Sequence, residues 1–346
     1  MKAPRDTWIN PAATLVLSCA GGALFAWLET PLPWMIGPLL VVALGNFAGA
    51  RLRTIPGSRQ FGQLVIGSAL GLYFTPAVAR EVAASWPLLL VAALFAIVLA
   101  WGCGWFLSRV AGIDRTTAFF ASVPGGAAEM TLLGERFGAR VDRVVFAQSL
   151  RVLIVVIVVP FVLTYAGVHG ADVYSPAPLP FHWKNLLLLL GIGAVAGSLF
   201  ALMGTPNPFM FGPLLAAIAL TVNEVSLSSM PAWATNLGQL LLGCALAARF
   251  ERKFMKGLGR YAGGVVASIF LAMILAALFG AVAAWLSGHP VPSLILATAP
   301  GGIAEMCITA KVLQLGVPLV TAAHVTRVLI LINATAPMYR LAKRWG

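Results

Sequence analysis

The sequence predicts an all-α, polytopic membrane fold made of two inverted-topology repeats. Each repeat is expected to hold five transmembrane helices plus one re-entrant or broken helix. Three observations carry that reading. Of 346 residues, 60% are hydrophobic and 10% are charged, where a soluble domain has about 25% charged residues. The apolar residues gather into twelve stretches near the roughly 20 residues that a helical span requires. A seven-residue phrase, Pro124-Gly125-Gly126-Ala127-Ala128-Glu129-Met130, returns 176 residues later as Pro300-Gly301-Gly302-Ile303-Ala304-Glu305-Met306. Six of its seven positions are identical.

Taken in order, the first half has stretches at about 12–28, 34–50, 60–76, 84–108, 116–134 and 144–166. The second half has them at about 184–203, 208–224, 234–250, 260–287, 292–315 and 317–339. The first, with Lys2 and Arg5 before it, has the look of a signal peptide. Its position matches Leu186–Leu202, which reads it as the first retained helix. The match between halves extends further. Gly37-Pro38-Leu39-Leu40 recurs as Gly212-Pro213-Leu214-Leu215, Gly62-Gln63-Leu64 as Gly238-Gln239-Leu240, and Arg151-Val152-Leu153-Ile154 as Arg327-Val328-Leu329-Ile330. Residues 1–170 and 180–346 therefore read as two membrane repeats within one integrated transmembrane domain, with a polar, Pro-rich linker at about 169–182. Gly37-Pro38 and Gly212-Pro213 read as kinks. Gln63 and Gln239 read mainly as helix-packing points.

Loop charge sets the topology. If all twelve stretches cross, Arg136, Arg140, Arg143, Arg252, Lys253, Lys256 and Arg260 fall outside, against the positive-inside bias. If the fifth stretch of each half dips in and returns, only Arg80, Lys184 and Lys311 stay outside, and both termini are cytoplasmic. Equivalent loops then differ in charge. The loop at 51–59 has three Arg and 226–233 has none; 77–83 has one Arg and 249–260 has five Lys or Arg. Related segments with opposite loop charge are what an inverted duplication requires. A fifth stretch that crosses unwound, with another stretch falling short, gives a similar charge distribution.

The doubled phrase is where chemistry is expected. Pro and Gly-Gly break a helix, and a Glu near the bilayer midplane costs roughly 2–3 kcal/mol or more. The helix that restarts after each break offers free N–H groups and a positive pole. Broken helices near the midplane are a transporter's way of building a site. Pro124, Gly125, Gly126 and Glu129, with Pro300, Gly301, Gly302 and Glu305, are thus candidate solute- or ion-binding residues. Arg151 and Arg327 follow each Glu by 22 residues. Each is expected to face the protein interior, either paired with its Glu or binding an anionic solute. Gln148 and His324 sit three residues before each Arg, on the same helical face. Since a Gln occupies the place equivalent to His324, a hydrogen-bonding role is favoured over titration.

Other classes are poorly supported. The +12 formal charge is distributed as loop anchors rather than a nucleic-acid surface. Cys19, Cys103, Cys244 and Cys307 have no paired spacing and read as small core residues. No HExxH, Walker A or Gly-x-Ser-x-Gly pattern occurs, and the four His do not cluster with carboxylates. No catalytic residue, metal site or cofactor is expected, only coupling to H⁺ or Na⁺.

On the doubled Pro-Gly-Gly-x-Ala-Glu-Met phrase, with Gly-Pro-Leu-Leu and Gly-Gln-Leu before it and Arg-Val-Leu after, the chain resembles the AbrB family of bacterial inner-membrane proteins. These are recognised by an internally duplicated membrane domain, and the resemblance covers nearly the whole chain. Members carry labels of gene-expression regulator, ammonia monooxygenase and transporter. This is not the soluble DNA-binding transition-state regulator of the same name. The resemblance implies the inner membrane and supplies no catalytic residues. The expected activity is secondary transport of a small solute, anionic if the arginines bind it, by movement of one bundle against the other. A membrane sensor without flux is the alternative, and an oxygenase the least supported. Expected partners are the lipid bilayer and the solute, with no direct nucleic acid and a homodimer left open.

Overall fold

The computed structural model describes residues 6–50, 52–170, 179–249 and 259–345. Lys2, Arg5, Arg51, Arg252, Lys253 and Lys256, used above for loop charge, lie outside the described residues. So does most of the expected linker. The described residues form fifteen α-helices. In the first half these are α1 (Asp6–Trp27), α2 (Pro33–Ala48), α3 (Ser58–Gly71), α4 (Pro76–Ala84), α5 (Trp86–Ala111), α6 (Arg115–Ser122), α7 (Ala127–Arg136) and α8 (Val141–Tyr165). In the second half they are α9 (Trp183–Leu202), α10 (Pro208–Val222), α11 (Ala232–Ala247), α12 (Gly259–Ser287), α13 (Val291–Thr298), α14 (Ile303–Leu313) and α15 (Val317–Trp345).

Each of the twelve apolar stretches is a helix, and the fifth in each half is a pair: α6 with α7, and α13 with α14. Helix boundaries follow local chemistry. Pro stands in the first two positions of α2, α5, α10 and α13, where its missing N–H costs nothing. Gly49 and Gly112 end α2 and α5 in the left-handed conformation. Asp114 caps α6 by accepting from the Thr117 backbone N–H at 2.7 Å.

Two results differ from the sequence reading. Five helices, α5, α8, α9, α12 and α15, are long and apolar enough to cross a membrane. The α3–α4 pair, bent by 92°, makes a sixth if it counts as one span. Ten spans were expected. The shortfall has a simple cause: α2, α3, α10 and α11 have 16, 14, 15 and 16 residues. At about 1.5 Å per residue they reach roughly 21–24 Å, less than a hydrocarbon core of about 30 Å. The second difference is α4. It fills the region read as a loop at 77–83, because Pro76 stops α3 from continuing and starts a new helix.

The chain divides into two compact units, each drawing on both halves. Unit 1 is Met1–Arg80 with Asp172–Met255; unit 2 is Glu81–Ala171 with Lys256–Gly346. Within unit 1, α1 packs on α2, α9 on α10, α3 on α10, and α11 on both α2 and α3. Small residues let these helices approach. A Cβ on Gly37 would overlap the backbone carbonyl of Gly21, and one on Gly212 would overlap the backbone N–H of Gly197. Pro38 and Pro213 sit inside continuous helices. The Gly-Pro pairs are thus points of close backbone contact, as small residues commonly are in membrane helices. Gln63 donates to Asn207 Oδ1 at 3.3 Å, an acceptor shared with Arg59 at 2.8 Å.

Within unit 2, α5 packs on α12, α6 and α15, while α12 packs on α13 and α8. The half-helices α6 and α7 pack on α8, and α13 and α14 pack on α15. These contacts map onto themselves when the two halves are exchanged. An aromatic cluster of Phe119, Phe120, Phe137 and Tyr339 surrounds the end of α6. Both copies of the doubled phrase lie in this unit.

Candidate functional site

The two phrases are built alike. The helix stops at Ser122 and restarts at Ala127; it stops at Thr298 and restarts at Ile303. The four residues between are Val123–Gly126 and Ala299–Gly302. Stopping a helix strands its last carbonyls, and burial away from water makes that costly. The last helix of each half supplies the missing donors. Arg151 on α8 donates to the Val123 carbonyl at 2.7 Å and to the Gly125 carbonyl at 3.2 Å. Arg327 on α15 donates to the Ala299 and Gly301 carbonyls, both at 2.6 Å. Gln148 Nε2 donates to the Phe120 carbonyl at 2.8 Å and the Val123 carbonyl at 2.9 Å. His324 Nε2 bonds the Leu296 carbonyl at 3.0 Å, the counterpart of Phe120, so that nitrogen carries the proton.

These four side chains are buried: Gln148 and His324 are 0% exposed, Arg151 5% and Arg327 3%. The planar guanidinium fork suits two carbonyls at once. A cation at the C-terminal end of a half-helix also opposes the negative pole there. The sequence left two partners open for each Arg, its Glu or a solute. The structure adds a third, the broken backbone itself. Arg151 makes no ion pair with Glu129; its printed partners are carbonyls. The donors are not all used. Arg151 Nε, Arg327 Nε, Gln148 Oε1 and His324 Nδ1 are buried without a hydrogen-bond partner. Arg151 and Arg327 also lie within electrostatic reach of each other.

The glutamates occupy the other side of each break. Glu129 and Glu305 stand in the first turn of α7 and α14. Each folds back over the residue that starts its helix. A Cβ on Gly126 would overlap the Glu129 carboxylate, and a Cβ on Gly302 would overlap that of Glu305. The preceding glycines have their own occupant. A Cβ on Gly125 would stand 2.9 Å from Met130 Cε, and one on Gly301 would stand 2.7 Å from Met306 Cγ. The phrase is thus a self-contained turn, in which Glu covers the second Gly and Met covers the first. The methionines, as last letters of the repeated phrase, were visible in the sequence but were not given a role. Pro124 and Pro300 are buried beside the carbonyls held by the arginines. Among the described residues, no three His, Cys, Asp or Glu gather as a metal site. Cys103, Cys244 and Cys307 are buried and Cys19 is exposed.

A family model described as "Transition state regulatory protein AbrB" matches residues 34–343. The chain belongs to the AbrB family. That match includes both broken helices and both buried arginines. Among AbrB relatives, an "Uncharacterized protein YhjN" of Bacillus subtilis (strain 168) is 29% identical over 370 residues, covering 97% of this chain and 93% of that protein. A "Putative regulator AbrB" of Escherichia coli (strain K12) is 25% identical over 318 residues, covering 90% of each. The similarity to both runs through whole chains, so this AbrB member is an apolar helical membrane protein over nearly its full length.

Proposed function

We propose that this chain is a secondary transporter of the bacterial inner membrane, moving a small solute coupled to H⁺ or Na⁺, with both termini in the cytoplasm. It is read as two inverted repeats of five crossings and one interrupted helix. The observation that carries the proposal is the pair of interrupted helices in one compact unit, each with a glutamate folded onto its restart. Unit 2 holds both, and its packing is unchanged by exchange of the halves, which supports a two-fold relation between them. In this reading the solute sits at the two Pro-Gly-Gly turns. Glu129 and Glu305 take the coupling proton or cation, which changes the charge at each helix start. Arg151 and Arg327 hold the two turns in shape and keep spare N–H capacity for an anionic group. No bond of the solute is broken, so no catalytic residue is assigned.

The test is uptake by purified protein in liposomes, driven by a Na⁺ or pH gradient. Gradient-driven solute uptake should appear in the native protein and vanish in Glu129→Gln and Glu305→Gln. Uptake that survives both substitutions would end the proposed role of the acids. A second reading, a membrane sensor acting indirectly on gene expression, is favoured by the wording of the family description and of the Escherichia coli relative. Solute binding without flux would select it.

A further inference from the structure

We infer that unit 2 binds a small anion in a cavity beside the first interrupted helix, on Arg151 and Ser122. The cavity has a volume of about 20 Å³. It is lined by Arg151, Ser122, Cys103, Ser268 and Ala147, together with apolar residues of α5, α6 and α12. A water-sized particle needs about 10–15 Å³, so the space takes one atom-sized occupant. A halide fits that description, as does one oxygen of a carboxylate.

The lining chooses the charge. Arg151 brings a full positive charge into a site where it is 5% exposed. Its two bonds go to neutral carbonyls, and the charge of Arg327 adds to the field there. Arg151 Nε and Ser122 Oγ are both buried without a partner. Ser268 already donates to the Cys103 carbonyl at 3.3 Å. An Arg N–H can only donate, and a serine hydroxyl rotates to do the same. An occupant that only accepts hydrogen bonds and carries negative charge satisfies both and offsets the buried cation. A neutral water would satisfy the donors and leave the charge uncompensated. Placing this anion in the solute's path rests on the transporter reading; the binding itself does not.

The experiment is thermal unfolding of the purified full chain in detergent, in sodium gluconate at fixed ionic strength. Gluconate is replaced stepwise by chloride, bromide or formate. Native protein should show a saturable rise in Tm with at least one of the three small anions. A response to halides alone identifies a free halide; a response to formate as well identifies a carboxylate oxygen. Ser122→Ala should weaken the apparent affinity at least tenfold. In gluconate it should be no less stable than native protein, because it removes an unpaired hydroxyl. Ala147→Val, which fills the cavity, should abolish the response; if it fails to fold, Ser122→Ala decides alone. Equal responses in native protein and Ser122→Ala, or no response beyond gluconate, would overturn the site. Bromide binding without solute uptake would keep this inference and remove the transporter reading. Uptake without an anion-specific shift would do the reverse.

Discussion

Replacing Arg327 with Lys separates a backbone splint from a solute ligand. Lysine keeps the positive charge but loses the planar fork, so it cannot reach both the Ala299 and Gly301 carbonyls, now held at 2.6 Å each. One of them is left buried without that donor, at a cost of about 1–3 kcal/mol. For a cooperative unit of this size, 1 kcal/mol shifts Tm by roughly 2–4 °C, so the expected fall is roughly 2–12 °C. Arg151→Lys should cost less, near the lower end of that range. Its second bond, to Gly125, is 3.2 Å long, and Gln148 still donates to Val123 at 2.9 Å. His324 gives no such cover, because its bond goes to Leu296. The assay is thermal unfolding in detergent, paired with uptake in liposomes. An Arg327→Lys protein that keeps its native Tm while losing uptake would refute the splint. So would a larger loss in Arg151→Lys than in Arg327→Lys.

Three further outcomes follow from the same geometry. Gly126→Ala and Gly302→Ala should displace the glutamate carboxylates while leaving the acids present, lowering uptake at least tenfold with a Tm change of only a few degrees; unchanged uptake would separate carboxylate position from function. His324→Gln should be tolerated within about 1 kcal/mol, because Gln148 makes the equivalent bond in the other half. His324→Leu should lose about 1–3 kcal/mol by stranding the Leu296 carbonyl, and parallel melts of the two variants check both claims. Gly212→Leu should fail to yield folded protein, since even a Cβ there meets the backbone of the neighbouring helix, and size-exclusion chromatography of the solubilised protein reads this directly.

Helix class, the twelve apolar stretches and the two interruptions were legible because each is written locally. Apolar run length, Pro and Gly act on their own few residues, whatever packs around them. The glutamates were also conspicuous, since an acid in an apolar run has a visible cost. Helix length was less legible. The second and third stretches of each half looked like spans until glycines, asparagines and turns outside the helices took their ends. The α3–α4 bend was likewise masked by continuous apolar composition.

The partners of the arginines could not be read from the sequence. A spacing of 22 residues from Glu to Arg says that both belong to one repeat. It does not say whether the guanidinium meets a carboxylate, a solute or a main-chain carbonyl. That depends on where α8 passes the end of α6 and α15 the end of α13, which is a matter of packing. The same holds for the two compact units. Periodicity and repeats divide the chain at its middle, since sequence similarity follows descent along the chain. Packing joins the first three stretches of one half to those of the other, since helices bury surface against neighbours in space.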